Sequence, residues 1–310
     1  MLQCRCLHRV ERDRGSGPMR ARKAVLFGSR SWVSLHNVLL PLLSILIVMS
    51  APVSLIFGAT GGIGSHTARM LCQRGHLLAL SSRSLPRLRQ LNEQLSATGS
   101  DVSHEPELLP CDATDATAVD EVFAKAVERF GRVDRVAHCV GSILLRPLHA
   151  TTDEQFRDTW KMNTWTAFLV LRAACKQMAR QKGSANGERG GSVVLCSSAV
   201  ASHGLPQHEA VAAAKAGVEG MARSAAASYA PQNIRVNCIA PGLTDTPMAK
   251  FITDKPAAKR ASEGMHALGR IGQPEEVAAA LVSLLENPFI TGQTLAVDGG
   301  LSSLLSQQRA

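Results

Sequence analysis

From residue 53 onward, short apolar runs alternate with longer stretches of helical spacing. The runs at 53–57, 77–81, 106–109, 133–138, 191–196, 233–238 and 294–297 are rich in Val, Leu, Ile and Ala and are bounded by Gly, Ser, Asp or Asn. That pattern predicts strands buried on both faces. Between them, 62–74, 84–97, 115–130, 152–181, 208–229 and 274–286 carry apolar residues every three or four positions and are predicted as helices. Strand, helix, strand repeated in this way predicts a single α/β domain, a Rossmann-like, doubly wound, seven-stranded parallel sheet with helices on both faces. The expected strand order is 3-2-1-4-5-6-7, with the ligand crevice outside the carboxyl ends of the strands. The stretch 183–191 reads as a flexible surface loop and 246–273 as a mobile excursion before the last helix.

Composition narrows the class. Hydrophobic residues make up 45% and charged residues 19%, so the chain can build a sizeable core. The net charge of +9 suggests nucleic acid until its distribution is considered. Residues 1–48 hold eight Arg or Lys against Glu11 and Asp13, a surplus of six, leaving three for the rest. No basic stripe interleaved with aromatics follows, so no nucleic-acid partner is expected. The last six of the eight cysteines (Cys72, Cys111, Cys139, Cys175, Cys196, Cys238) have no metal-ligand spacing, and no metal site is expected. They read as free thiols of a reducing compartment.

The basic leader ends in an apolar run of twelve, 38–49, broken by Pro41. As a helix it would span about 18 Å, short of the roughly 30 Å hydrocarbon core. Three readings stay open: an organelle-targeting presequence, a late signal or anchor segment, and a start assigned upstream of the true one at Met49. The domain is therefore placed at 49–310, in the cytoplasm, or in a mitochondrial or plastid matrix where the leader is real.

The first chemistry lies at Gly58, Gly62, Ile63 and Gly64, between a predicted strand and a predicted helix. Glycines there permit a tight turn and close backbone approach, and the helix start offers free N–H groups to a pyrophosphate. At the end of the second strand, an acidic residue would bind the ribose hydroxyl of NAD and repel a 2′-phosphate. This chain has Ser81, Ser82, Arg83 and Ser84 instead. A guanidinium beside hydroxyls suits a phosphate dianion, so NADP(H) is the expected cofactor. Arg87 and Arg89 follow closely, so a solvated loop Arg is the competing explanation.

The Gly-x3-Gly-x-Gly spacing resembles that of the short-chain dehydrogenase/reductase family. Gly131-Arg-Val-Asp134, Pro241-Gly-Leu-Thr-Asp-Thr246, Leu268-Gly-Arg-Ile-Gly-Gln-Pro-Glu-Glu-Val277 and Ile290-Thr-Gly-Gln-Thr-Leu-Ala-Val-Asp-Gly-Gly300 extend the likeness across 53–300. They are most similar to the 3-oxoacyl-carrier-protein reductase and carbonyl reductase branch. The resemblance implies an oxidoreductase and adds Asp112, Gly141, Lys215, Pro241, Gly242 and Thr246 to the cofactor site. It assigns Asn163, Ser198 and Lys215 to catalysis. It also implies a homotetramer or homodimer, built through the 152–181 and 208–229 helices.

One member of the family's catalytic set is missing. Its Tyr should fall thirteen residues after Ser198 and four before Lys215, and both counts land on Val211. The only tyrosine, Tyr229, lies at the far end of that helix. A valine has no proton to give. His208, expected on the same helix face as Val211 and Lys215, is a candidate donor; Glu209 and His203 are weaker ones. Water held by Lys215 and Asn163 is another route. His138 and Cys139 stand where the family has asparagines. Two functions stay open: an NADPH-dependent reductase of a small-molecule carbonyl or acyl-thioester substrate with altered proton delivery, and a non-catalytic NADP(H)-binding subunit or sensor, for which an active homologue is a candidate partner. In the first, 247–273 forms a substrate lid, and Lys250, Lys255, Lys259, Arg260 and Arg146 favour an anionic carrier.

Overall fold

The computed structural model describes residues 51–97, 105–181 and 190–304. The basic leader and most of the 183–191 stretch lie outside them. Seven parallel strands form one sheet in the order β3-β2-β1-β4-β5-β6-β7. They are β1 (Val53–Phe57), β2 (Leu77–Ser82), β3 (Glu107–Pro110), β4 (Arg135–His138), β5 (Gly191–Cys196), β6 (Ile234–Pro241) and β7 (Thr294–Val297). Every side chain of β1 is buried because helices cover both faces, which is why the run VSLIF shows no alternation.

One face packs α1 (Gly62–Gln73), α2 (Leu85–Ser96) and α9 (Pro274–Glu286) over Ile56, Leu80, Val194 and Ile239. The other packs α3 (Ala116–Phe130), the pair α4 (Asp153–Trp160) and α5 (Thr166–Arg180), and α6 (Glu209–Tyr229) over Leu55, Val136, Val193 and Val236. Gly131 closes α3 in the left-handed conformation at φ 78°, a position that suits a residue without a Cβ.

Two expectations need correction. The stretch 152–181 is not one regular helix: α4 and α5 are separated by a π turn, Lys161–Trp165. There Asn163 turns its amide back to donate to the Thr159 carbonyl at 2.8 Å, and Thr166 Oγ1 donates to the Met162 carbonyl at 2.9 Å. Side chains competing for helical carbonyls widen the turn. The 246–273 excursion is folded, with a 3₁₀ turn at Pro247–Ala249, α7 (Lys250–Thr253) and α8 (Pro256–Met265). Pro256 opens α8 where a missing N–H costs nothing. Buried His266 then ties the excursion down: Nδ1–H donates to Ser262 O at 2.7 Å, and Nε2 accepts from Leu243 N at 3.2 Å.

Candidate active site

A cavity of about 1080 Å³ opens at the carboxyl ends of the strands. Its floor at one end is the turn from β1 into α1. Gly58 has φ +75°, and a Cβ there would lie 2.7 Å from the Cys139 carbonyl oxygen. A Cβ on Gly64 would collide with the Gly58 carbonyl, and one on Gly62 would lie 2.5 Å from Thr246 Cγ2. Glycine at 58 and 64 lets backbone approach backbone, and glycine at 62 leaves room for the Thr246 side chain. Gly61 precedes α1 without a side-chain cap, so the first N–H groups of the helix remain available beside Ile63. This is a cradle for a pyrophosphate, and the residues present fit a dinucleotide.

At the far end of the cavity stand Ser82, Arg83, Arg87, Cys111 and Asp112. Ser84 is committed to capping α2, where its hydroxyl accepts from Arg87 N at 3.4 Å. Asp112 Oδ1 accepts from Thr114 N at 3.0 Å. That N–H, helped by Arg83 and Lys161, holds the carboxyl below its usual range. Arg87 was legible only as a neighbour of Arg83. Its place in the first turn of α2, just after the loop that carries Arg83, brings both guanidinium-bearing residues to the same wall.

The opposite end gathers the reactive groups. Asn163 is fully buried and its carboxamide is saturated: Nδ2 donates to Thr159 O (2.8 Å), Ser142 Oγ (3.1 Å) and Ser142 O (3.3 Å), and Oδ1 accepts from Ser142 N (3.2 Å). It thereby fixes Gly141 and Ser142. A Cβ on Gly141 would lie 2.8 Å from Asn163 Oδ1 and 3.1 Å from Lys215 Nζ, so only glycine admits both. Lys215 is 6% exposed, and Nζ donates to Cys196 O at 2.7 Å. Burial lowers the pKa of its ammonium. Ser198 lies two residues beyond β5, just before the 3₁₀ turn Ala199–Ala201, with its hydroxyl lining the cavity and no protein partner among the described residues. Ser142 was missed in the sequence because a serine after a glycine carries no signal of its own.

Behind these groups sits a polar pair that the sequence did not reveal. Ser197 Oγ donates to buried Glu219 Oε1 at 2.7 Å and approaches Lys215 O at 3.4 Å. One hydroxyl thus straps the strand end carrying Ser198 to the helical turn carrying Lys215. His138 is buried beside Lys215, and its Nε2 meets Thr166 Oγ1 at 3.0 Å. Burial, with Lys215 adding to it, pushes this imidazole down to about 3.

Val211 lines the cavity one turn before Lys215 and is 3% exposed. His208 caps α6 rather than belonging to it, and its carbonyl accepts from Ala212 N at 2.7 Å. The helix starts at Glu209, and His208 Nδ1–H donates to Pro206 O at 2.8 Å from the residue before it. His208 still lines the cavity, whereas His203 and Glu209 do not. Pro241, Gly242 and Thr246 also line it. A Cβ on Gly242 would lie 2.7 Å from His266 Nε2. The cavity roof is apolar, with Leu145, Leu205, Met248, Phe251 and Met265. Of the basic residues expected to favour an anionic carrier, Lys255 lines the cavity; Lys259 pairs with Glu263 at 3.9 Å, and Arg146 Nε donates to Ala150 O at 2.6 Å.

Comparison with known proteins gives a consistent pattern. A family described as Enoyl-(Acyl carrier protein) reductase matches residues 58–302. Carbonyl reductase family member 4 of Danio rerio is 34% identical over 257 residues, spanning 81% of this chain and 98% of that protein. The 3-oxoacyl-[acyl-carrier-protein] reductase FabG of Thermotoga maritima is 33% identical over 255 residues, spanning 82% and 98%. Among solved structures, levodione reductase is 28% identical with a TM-score of 0.75, spanning 82% of this chain and 98% of that one. ElxO with NADP bound is 25% identical with a TM-score of 0.73, spanning 82% and 100%.

Proposed function

The chain belongs to the short-chain dehydrogenase/reductase family, and from that premise we propose that it is an NADPH-dependent reductase of a carbonyl or 3-oxoacyl substrate whose proton donor is not the usual tyrosine. The observation that carries the cofactor choice is the pair Arg83 and Arg87 on the cavity wall where β2 ends, with no carboxylate between Ser81 and Ser84. A 2′-phosphate there meets two guanidinium groups and the Ser82 hydroxyl. Gly58, Gly62 and Gly64 would hold the pyrophosphate, Asp112 the adenine, and Gly141 and Lys215 the nicotinamide ribose. When bound, the nicotinamide supplies hydride to the substrate carbon. The chain's own share is orientation: Ser198 Oγ–H donates to the carbonyl oxygen, and the apolar roof seats the substrate's carbon skeleton.

The retained Ser198, Asn163 and Lys215 support turnover, because a protein that only bound nucleotide would have no use for the Ser198 hydroxyl. Val211 favours the second reading, a nucleotide-binding subunit impaired in catalysis. Titrating the full chain with NADPH and NADH by fluorescence, then following NADPH loss with ketones and 3-oxoacyl thioesters, separates the two. Arg83→Ala and Arg87→Ala are each expected to weaken NADPH binding about tenfold, the worth of one charge-assisted bond, and to leave NADH binding unchanged. Equal losses for both nucleotides would remove the 2′-phosphate assignment.

Phe156, Trp160, Trp165 and Phe168 are each 36–42% exposed along α4, the π turn and α5. So much exposed aromatic surface on one helical pair suits burial against a second copy of the chain. Light scattering is expected to give a dimer or tetramer, and Phe156→Glu with Phe168→Glu to give monomers.

A further inference from the structure

We propose that Lys215 itself protonates the substrate oxygen in this chain, taking over the step that a tyrosine at position 211 would perform. The inference rests on the reductase function proposed above and deepens it by naming the acid.

The cavity contains few groups able to give up a proton, and each can be followed. Arg83, Arg87 and Asp112 belong to the opposite end, beyond the phosphate turn. Lys255 stands on the exposed helical excursion that roofs the cavity. His266 has both ring nitrogens engaged, Nδ1–H with Ser262 O and Nε2 with Leu243 N. His208 commits Nδ1–H to Pro206 O on the turn before α6. The thiols of Cys111, Cys139 and Cys196 are pushed up by burial and hold their protons more tightly than free cysteine does.

Lys215 differs from all of these. It lies one helical turn after Val211 on the same face of α6, so its ammonium borders the space that a phenol would fill. One N–H is held by Cys196 O at 2.7 Å, which aims the head group and leaves two N–H bonds with no other protein acceptor among the described residues. Gly141 brings no side chain between Nζ and the cavity. Ser198 Oγ, on the adjoining strand end, can fix the carbonyl while Nζ supplies the proton.

The surroundings suit an acid rather than a permanent cation. The titratable groups facing Nζ are His138 on β4, Cys139 just beyond it, Cys196 on β5 and Cys238 on β6. His138 is held neutral, burial pushes Cys238 up to about 12, and Cys139 and Cys196 also move up. None carries a negative charge at neutral pH to stabilise the ammonium, and desolvation lowers its pKa. The nearest carboxylate on α6, Glu219, is one turn further on and engaged by Ser197, with Arg223 3.8 Å away.

The balance is that of a carbonyl reduction. The C=O π bond breaks, its carbon gains the coenzyme's hydride, and its oxygen takes a proton from Lys215 Nζ. The amine left neutral regains a proton from water entering the open cavity. The protonated form is the active one, so turnover is present below the Lys215 pKa and falls as pH rises through it.

The test pairs a direct titration with kinetics. In full chain labelled with ¹³C-lysine, the Cε signal lost in Lys215→Arg identifies this residue, and its midpoint is expected below the ordinary lysine value of about 10.4. The falling limb of kcat/KM, which reports the free enzyme, should share that midpoint. In Lys215→Ala, primary amines should restore turnover with a rate that depends on amine pKa, an effect that mere filling of space does not produce. A midpoint at the ordinary value, a limb that survives in Lys215→Arg, or rescue indifferent to amine pKa overturns the proposal alone. Absence of turnover in unaltered chain that binds NADPH overturns it together with the reductase function.

Discussion

Ser198→Ala is expected to lower kcat/KM by about 10²–10³-fold, the usual cost of removing one hydrogen-bond donor from a developing oxyanion. The hydroxyl lines the cavity with no protein partner among the described residues, so its donor capacity is free for a substrate. Its neighbour provides the control. Ser197 Oγ already donates to Glu219 at 2.7 Å and cannot take over. NADPH affinity should be unchanged in Ser198→Ala, because the dinucleotide cradle is formed by other segments. Unchanged turnover in this variant would show that the carbonyl is held elsewhere.

Val211→Tyr is expected to raise kcat by about 10²-fold, the lower end of the contribution of a positioned general acid. The lower end applies because Lys215 already delivers a proton in the proposed mechanism. The new phenol would sit one turn before Lys215, whose ammonium would depress its pKa. The cavity of about 1080 Å³ has space for a ring, although Val211 is 3% exposed and repacking around it can cost roughly 1–3 kcal/mol. Stopped-flow or steady-state NADPH oxidation measures the gain, and a thermal melt separates it from misfolding. A tyrosine that changes nothing would mean that proton transfer is not what limits the chain.

Most of the sheet was legible because a doubly covered parallel strand needs a predominantly apolar run, and VSLIF and GSVVLC provide one despite a buried serine in each. Strand ends moved by up to three residues, as in β6, which runs on to Pro241. The phosphate turn was legible because sterics demand glycine at 58, 62 and 64. What failed were features with no periodic or compositional mark. A π turn adds one residue to a helix, and apolar spacing over 152–181 tolerates that addition without a break. The excursion at 246–273 is polar along its outer side, so its helices were hidden, although Pro256 at a helix start was a usable signal. His208 was placed on α6 by counting, but the Nδ1 bond to Pro206 O belongs to the turn before it. Ser142, and the pairing of Ser197 with Glu219, depend on contacts 21 and 22 residues apart in sequence, which no local pattern encodes.

The π turn has a consequence for the outer surface of the molecule. An α-helix advances about 100° per residue, so on an unbroken helix Phe156 and Trp165 would point to opposite sides. The extra residue at Lys161–Trp165 resets that angular phase, and Phe156, Trp160, Trp165 and Phe168 come round within roughly a quarter of a turn of one another. The same insertion sets Asn163 against Ser142. Deleting one residue here would rotate the aromatic ridge and the Asn163 carboxamide together, so the length of this segment couples the wall of the cavity to the shape of the outer surface.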